Sequence, residues 1–318
     1  MFTTFPGGYT SLYSELLYGY TISSDSSSYE DLEGEVTLYI VDSTSDEVLG
    51  VKKFYSTSYA EINIAPIVRS YAYPCVVVEE SGFVTDHTHG TVEVYVTDGE
   101  AQQSYSRRFT LSRSSEFDLG LLSTLSPSKR FLALGESELL TFRVNPAKEV
   151  TLVQNHYSVE TEEAVATQSY SLEAQESGFV TFNIVGEELS ESSVDIIELV
   201  LSQEGVEVET IRYIIVDSPV DPIRLAWISS RGSIEHYTFP VISQRGYDQE
   251  GVETLTISSA YELYDVRRAL AEIVESPKVW VEVDAGGYLE VKVESESVEL
   301  AMASEIGCVE LKISYYDE

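Results

Sequence analysis

Asp195-Ile-Ile-Glu-Leu-Val-Leu-Ser-Gln-Glu-Gly-Val-Glu-Val-Glu-Thr-Ile-Arg-Tyr-Ile-Ile-Val216 decides the fold class. An alternating apolar and polar run leads into Glu204-Gly205, and a second run containing Arg212 leads out, which is the pattern of a β-hairpin. Thr91–Leu111 follows the same plan: Val92, Val94 and Val96 share one face, Asp98-Gly99 supplies the turn, and Arg107 and Arg108 lie in the return strand. Each hairpin is preceded by one hexapeptide, Glu80-Ser-Gly-Phe-Val-Thr85 and Glu176-Ser-Gly-Phe-Val-Thr181, at an offset of 96 residues.

That offset is close to the about 100 residues of an immunoglobulin-like sandwich, so the expectation is two such sandwiches in tandem. Period-two alternation recurs elsewhere. Val36, Leu38 and Ile40 share a face of Glu35–Val41, and the sets Leu289, Val291, Val293 and Val309, Leu311, Ile313 do the same near the C-terminus. This is how half-buried antiparallel strands read. One segment differs: Ser258–Glu275 sets Leu263, Val266, Leu270, Ile273 and Val274 on one helical stripe. Ser259 with Glu262 predicts a capping box, and Ser276-Pro277 ends the pattern. The expected organisation of this mainly β chain is therefore an extended Tyr/Ser-rich arm over 1–24, sandwiches over 25–117 and 118–218, and an aromatic-locked hairpin with a small α+β domain over 219–318.

Charge excludes several functions. The chain of 318 residues has 54 acidic and 19 basic side chains, a formal −35. Residues 1–118 carry −12, residues 119–219 carry −12 and residues 220–318 carry −11, so the negativity coats every domain and is no appended tail. Direct nucleic-acid binding needs clustered Lys and Arg, and anionic membranes would repel this surface; neither partner is expected. The N-terminal stretch Met1–Tyr20 has no Lys or Arg and no apolar core of a secretory signal. Cys75 and Cys308 are too few and too far apart for a disulfide framework, so they are expected as free thiols made in a cytoplasm.

Enzyme signatures are missing: no GxGxxG, P-loop, GxSxG or HExxH stretch occurs. Asp86-His-Thr-His89 has ligand character, yet no further Cys or His lies nearby to complete a site. No metal or cofactor is expected. Paired carboxylates such as Glu160, Glu162, Glu163 and Glu187, Glu188 read as solvated loop charges. The 22 Tyr suit strand faces, as at Tyr39 and Tyr95, whereas Tyr9, Tyr13, Tyr18 and Tyr20 of the arm are candidate interface anchors. Lys52, Lys53, Arg107 and Arg108 either meet acidic partners or balance local carboxylates.

Leu225-Ala-Trp-Ile-Ser-Ser-Arg-Gly-Ser-Ile-Glu-His-Tyr-Thr-Phe239 reads as a strand, a tight turn at Gly232 and a return strand. Leu225 and Trp227 share one face, and Tyr237 and Phe239 share one face of the partner. The spacing Trp-x4-Gly-x4-Tyr-x-Phe resembles virion proteins of phages and prophages of gut Bacteroidetes, including crAss-like phages. Ser276-Pro-Lys-Val-Trp-Val281 and Glu61-Ile-Asn-Ile-Ala-Pro-Ile-Val-Arg-Ser-Tyr71 resemble other parts of those proteins, and Ser229-Ser230 departs from the pattern, where an Asn is expected. The resemblance implies a structural tail or collar component, made in the host cytoplasm and located in the virion. It would assemble with itself and with other tail or collar proteins, and it carries over no catalytic residue. A receptor- or carbohydrate-binding fibre module and an acidic DNA-mimic inhibitor are the alternatives.

Overall fold

The structure is a computed structural model that describes all residues except 9, 22–33, 58, 72–79, 85–90, 100–102, 114–117, 126–129, 159–163, 175–177, 187–195, 218, 248–250, 284–286, 299, 301–304 and 317–318. The chain is mainly β and divides into two compact units, residues 1–73 with 90–116, and residues 74–89 with 117–318. The boundary expected at 117/118 lies beside the second of these divisions, whereas 218/219 falls inside the second unit.

The first unit contains β1 (Phe2–Thr4), β2 (Leu17–Thr21), β3 (Gly34–Asp42), β4 (Val48–Thr57), β5 (Tyr59–Asn63) and the short helix α1 (Ala65–Ser70). After β6 (Gly82–Val84), which belongs to the second unit, it is completed by β7 (Thr91–Thr97) and β8 (Arg107–Thr110). Two antiparallel sheets result, of order β1-β2-β5 and β4-β3-β7-β8. The extended arm expected over residues 1–24 is thereby corrected. Residues 17–21 are paired on both sides, by β1 and by β5, and Leu12, Leu16 and Tyr18 are fully buried. Three large apolar side chains in seven residues repay the ordering of this segment, despite its Ser, Gly and Tyr content.

The second unit continues with β9 (Gly120–Leu121), β10 (Arg130–Ala133), β11 (Ser137–Arg143), β12 (Glu149–Tyr157), β13 (Ala164–Glu173), β14 (Phe179–Val185), β15 (Ile196–Gln203) and β16 (Val206–Val216). These strands form sheets of order β6-β14-β11-β9 and β10-β16-β15-β12-β13, antiparallel except for β10 beside β16. Leu140, Phe142, Phe182 and Ile184 from one sheet and Leu152, Ile197, Leu199 and Ile211 from the other share one core. Glu204 and Gly205 both have positive φ, 52° and 78°, which matches the twist a two-residue hairpin needs. The strand orders β9-β11-β14 and β13-β12-β15-β16 repeat β1-β2-β5 and β4-β3-β7-β8 of the first unit.

The hexapeptides do not mark that correspondence. The second copy runs into β14, whose counterpart by strand order is β5, while the first copy forms β6. The two strands are direct neighbours, with Phe83 opposite Phe182 and their rings edge to face at 5.4 Å. Their likeness therefore reflects two adjacent places in one sheet and not equivalent places in two.

The rest of the unit comprises β17 (Ile223–Ile228), β18 (Ile234–Phe239), β19 (Val241–Tyr247), β20 (Glu253–Ser258), β21 (Glu262–Leu263), α2 (Tyr264–Ala271), β22 (Val279–Val283), β23 (Gly287–Val293), β24 (Ile306–Gly307) and β25 (Glu310–Tyr315). Seven of these strands form a sheet of order β18-β17-β22-β23-β25-β20-β19 that curls around α2 and the 3-10 turn Glu272–Glu275. Ala269, Leu270 and Ile273 fill the concave side. The capping box is corrected: the helix starts at Tyr264 after Leu263, with no side-chain cap. Ser259 Oγ instead donates to the Ala260 carbonyl and accepts from Val309 N–H, and Glu262 accepts from the Tyr237 hydroxyl. Leu263 is exposed and not part of the buried stripe. β11 is buried on both faces, one against the core below it and the other against β18.

Candidate functional site

Beside the contact of β11 with β18, a cavity of about 320 Å³ is lined by Arg130, Glu136, Glu138, Arg224, His236 and Glu262, with Phe131 and Tyr261 exposed on its rim. Arg130 leads β10, a four-residue strand that is otherwise apolar, and Arg224 sits within the apolar run Ile223–Ile228. A guanidinium in such a run must find buried acceptors, because its desolvation is otherwise prohibitive.

The acceptors are present. Arg130 forms an ion pair with Glu138 of β11 and also donates to Ser123 Oγ and, at 3.3 Å, to the Leu125 carbonyl. Arg224 Nη1 donates to Glu136 Oε2 at 3.0 Å, its Nη2 to the Ser137 carbonyl at 2.6 Å, and its Nε lies 3.0 Å from Glu282 Oε2. Thr238 Oγ1 donates to the other Glu136 oxygen at 2.7 Å. Glu235 of β18 accepts from Thr124 N–H at 2.5 Å, Ser123 Oγ at 2.9 Å and Thr124 Oγ1 at 3.1 Å. The bonds of Arg224, Thr238 and Glu235 run between the 123–138 segment and β17 or β18, and the Arg130–Glu138 pair joins β10 to β11, so together they fasten one sheet to the next.

Burial pushes the Glu138 carboxyl above its ordinary range, although Arg130 and Arg224 pull it back. Glu282 is raised for the same reason, against the pull of Arg224. Burial also opposes the Arg130 charge, but Glu138, Tyr213 and Glu235 outweigh it and hold the guanidinium protonated. Burial raises the Tyr237 phenol, and the neighbouring Glu262 raises it further. The ionisable groups are thus engaged with one another, and the arrangement is chemically suited to clamping sheets together.

The sequence-predicted residues lie elsewhere or serve packing. Tyr9 lies outside the described residues, as do Cys75, His87, His89 and the Glu160–Glu163 and Glu187–Glu188 pairs. Tyr13 is half-buried between the Arg69 and Arg113 guanidiniums, 5.7 and 5.3 Å from its ring centre. Tyr18 is fully buried and burial pushes its phenol up to about 12; Tyr20 donates to Asp98 Oδ2 at 2.6 Å. Tyr13 and Tyr20 thus have partners within their own unit, and Tyr18 is packed into its core. Lys53 pairs with Glu35 at 3.7 Å and Arg108 with Glu93 at 2.7 Å, while Arg107 lies over the Phe5 ring at 5.0 Å. Cys308 is a free, exposed thiol.

The Trp motif forms the β17–β18 hairpin, with Leu225 opposite Tyr237 and Trp227 opposite Glu235. Leu225, Trp227 and Phe239 are fully buried, Tyr237 packs edge to face on Phe239 at 4.9 Å, and Gly232 takes φ +83° in the turn. Sequence reading found this hairpin but missed Arg130, Glu138, Arg224 and Glu235. The available signal was a lone charge inside an apolar strand, which had to be paired.

Fold and site together define a mainly β protein with a buried ionic joint between stacked sheets. No family model and no curated protein matches the chain. Among solved structures, the native conformation of Escherichia coli alpha-2-macroglobulin is similar over 100% of this chain and 20% of that one, at 8% identity and a TM-score of 0.21. At that score the likeness carries no argument about fold or function. Among the described residues, no cluster of His, Cys, Asp and Glu is arranged to hold a metal, and no helix is long and apolar enough to cross a membrane.

Proposed function

We propose that the chain is a non-enzymatic structural component of a phage virion, a tail or collar protein that acts through subunit assembly. It is built as two tandem immunoglobulin-like sandwiches followed by an α+β domain. The recurrence of the orders β1-β2-β5 and β4-β3-β7-β8 in the second unit supports the tandem architecture. The observation that carries the functional reading is the ionic joint: Arg130 pairs with Glu138 and Arg224 with Glu136 across sheets, while Glu282 of the neighbouring strand holds Arg224 in place. A site whose charges clamp the fold serves rigidity, which a component of a particle shell under mechanical stress needs. Its partners are further copies and other tail or collar proteins. Neither nucleic acid nor membrane is a partner, given the uniform −35.

Negative-stain microscopy and light scattering of the purified chain, alone and mixed with candidate tail proteins, test the proposal. Closed rings, sleeves or defined co-assemblies are expected. A monomer that associates with no virion component contradicts it. The exposed aromatic rim of the cavity, Phe131 and Tyr261, favours a second reading, a glycan-binding fibre module. Retention on a glycan array that Tyr261→Ala abolishes would favour that reading.

A further inference from the structure

The sheet ends among the described residues are guarded, with one exception. β1, β6, β9 and β10 are two to four residues long, and β8 carries Arg107 and Arg108. β4 carries Lys52 and Lys53 and pairs with β3 through register shifts; β5 carries Glu61, β18 packs against β11 with Glu235 bonded to Ser123 and Thr124, and β19 carries Arg245 and a register shift of its own. Short length, charge and bulges are how proteins blunt an edge against further pairing. β13, Ala164-Val-Ala-Thr-Gln-Ser-Tyr-Ser-Leu-Glu173, has these only at its ends, a register shift against β12 at Val165 and a charge at Glu173, and from Ala166 to Leu172 it pairs regularly and without charge. It is ten residues long, ends its sheet, and has no charged residue and no Pro from Ala164 to Leu172. In a chain with 23% charged residues, nine consecutive neutral positions on a ten-residue edge form a distinct surface.

We propose that β13 is the edge through which two copies of this chain pair, antiparallel about a two-fold axis, joining two five-stranded sheets into one. The proposal rests on the assembly reading above and names its contact. Charge selects the occupant. A second copy carries the same −35 and is repelled at most surfaces, so it can approach closely where the edge is neutral. The strand is also compatible with its own reverse. About Ser169, Thr167 falls opposite Ser171, Gln168 opposite Tyr170, Ala166 opposite Leu172 and Val165 opposite Glu173. No like charges meet, and hydroxyl-bearing side chains face one another on the exposed side. A self-complementary patch is what an isologous dimer requires.

Sedimentation analysis of the full chain and of Ser169→Glu and Ser169→Lys tests the edge. Ser169 is exposed, and near-ultraviolet circular dichroism confirms that each variant is folded. The wild type should dimerise, more tightly as salt rises from about 50 to about 500 mM and screens the repulsion. Both variants should weaken the dimer at least about tenfold, because each places a charge opposite itself at the axis. General electrostatic association would instead respond in opposite directions to Glu and Lys, and that result would overturn the proposal. An oligomer indifferent to both substitutions overturns the β13 edge and leaves the assembly reading standing. A chain that stays monomeric at every salt concentration overturns the edge, and if it also ignores tail proteins it overturns the assembly reading too.

Discussion

The joint beside β18 and the edge at β13 treat charge in opposite ways. At the joint, two guanidiniums and several carboxylates are buried, each held by a counter-charge or a hydrogen bond. At the edge, nine consecutive residues carry no charge although most of them are exposed, only Ala166, Tyr170 and Leu172 being half-buried. The difference teaches where a very acidic chain spends its few cations. Arg130 and Arg224 fix the relation of stacked sheets, where geometry must be unique, and β13 is left bare, where pairing with another neutral strand is permitted. Buried pairs of this kind are poor net stabilisers but costly to break singly.

The largest expected effect follows from that asymmetry. Arg130→Met should cost about 3–5 kcal/mol in denaturant unfolding, because it leaves the Glu138 carboxylate buried without its partner. From Ala164 to Leu172 β13 has no charge to remove, and Ser169→Thr there should be nearly silent. Gly186→Ala tests the steric side of the joint. A Cβ at Gly186 would collide with the Ala133 carbonyl oxygen, and Gly186 N–H donates to the Glu136 carbonyl at 2.9 Å. A loss of about 1–3 kcal/mol is expected, since backbone must shift.

Titration sharpens the comparison between buried groups with and without a counter-charge. His156 is fully buried on β12, beside the amide nitrogen of Gln154 at 2.9 Å, and burial lowers its pKa below 6.5. The neutral ring is favoured in the fold, so its contribution is present above pH 6.5 and is lost as pH falls through the lowered value. Glu138 and Glu282 act in the opposite sense. Their raised pKa values make their contribution full below the ordinary carboxylate range and lost as pH rises through the raised values. Melting curves of wild type and His156→Gln should therefore diverge from pH 7 downward, the variant losing less; parallel curves would contradict the assignment. The smallest effect belongs to the end of β13, where Glu173 stands opposite Glu149 on exposed faces. Glu173→Lys should raise the melting temperature slightly, by the few tenths of a kcal/mol of an exposed cross-strand pair.

Much of the fold was legible because one face of a strand is wet. Val92, Val94 and Val96 alternate cleanly, and β7 spans the stretch read from them, Thr91–Thr97. Glu204-Gly205 and the Trp227–Phe239 hairpin were equally plain, since turn chemistry is local. β2 was read as an arm because Leu16 and Tyr18 alternate over too short a span among Gly, Ser and Tyr. β13 was missed because an edge strand with both faces largely exposed has no apolar period to read. The joint escaped for a different reason: sequence gives a charge but not its partner, and Arg130, Glu138 and Glu282 become a site only when three sheets stack.

The central claim is that the charges around the cavity clamp the sheets to one another. A double-mutant cycle on Arg130 and Glu138, read by chemical unfolding, tests it most directly. The account predicts that Arg130→Met with Glu138→Leu recovers more than half of the stability lost in Arg130→Met alone, because no uncompensated charge remains. A double variant as unstable as the single one, or costs that simply add, would contradict it.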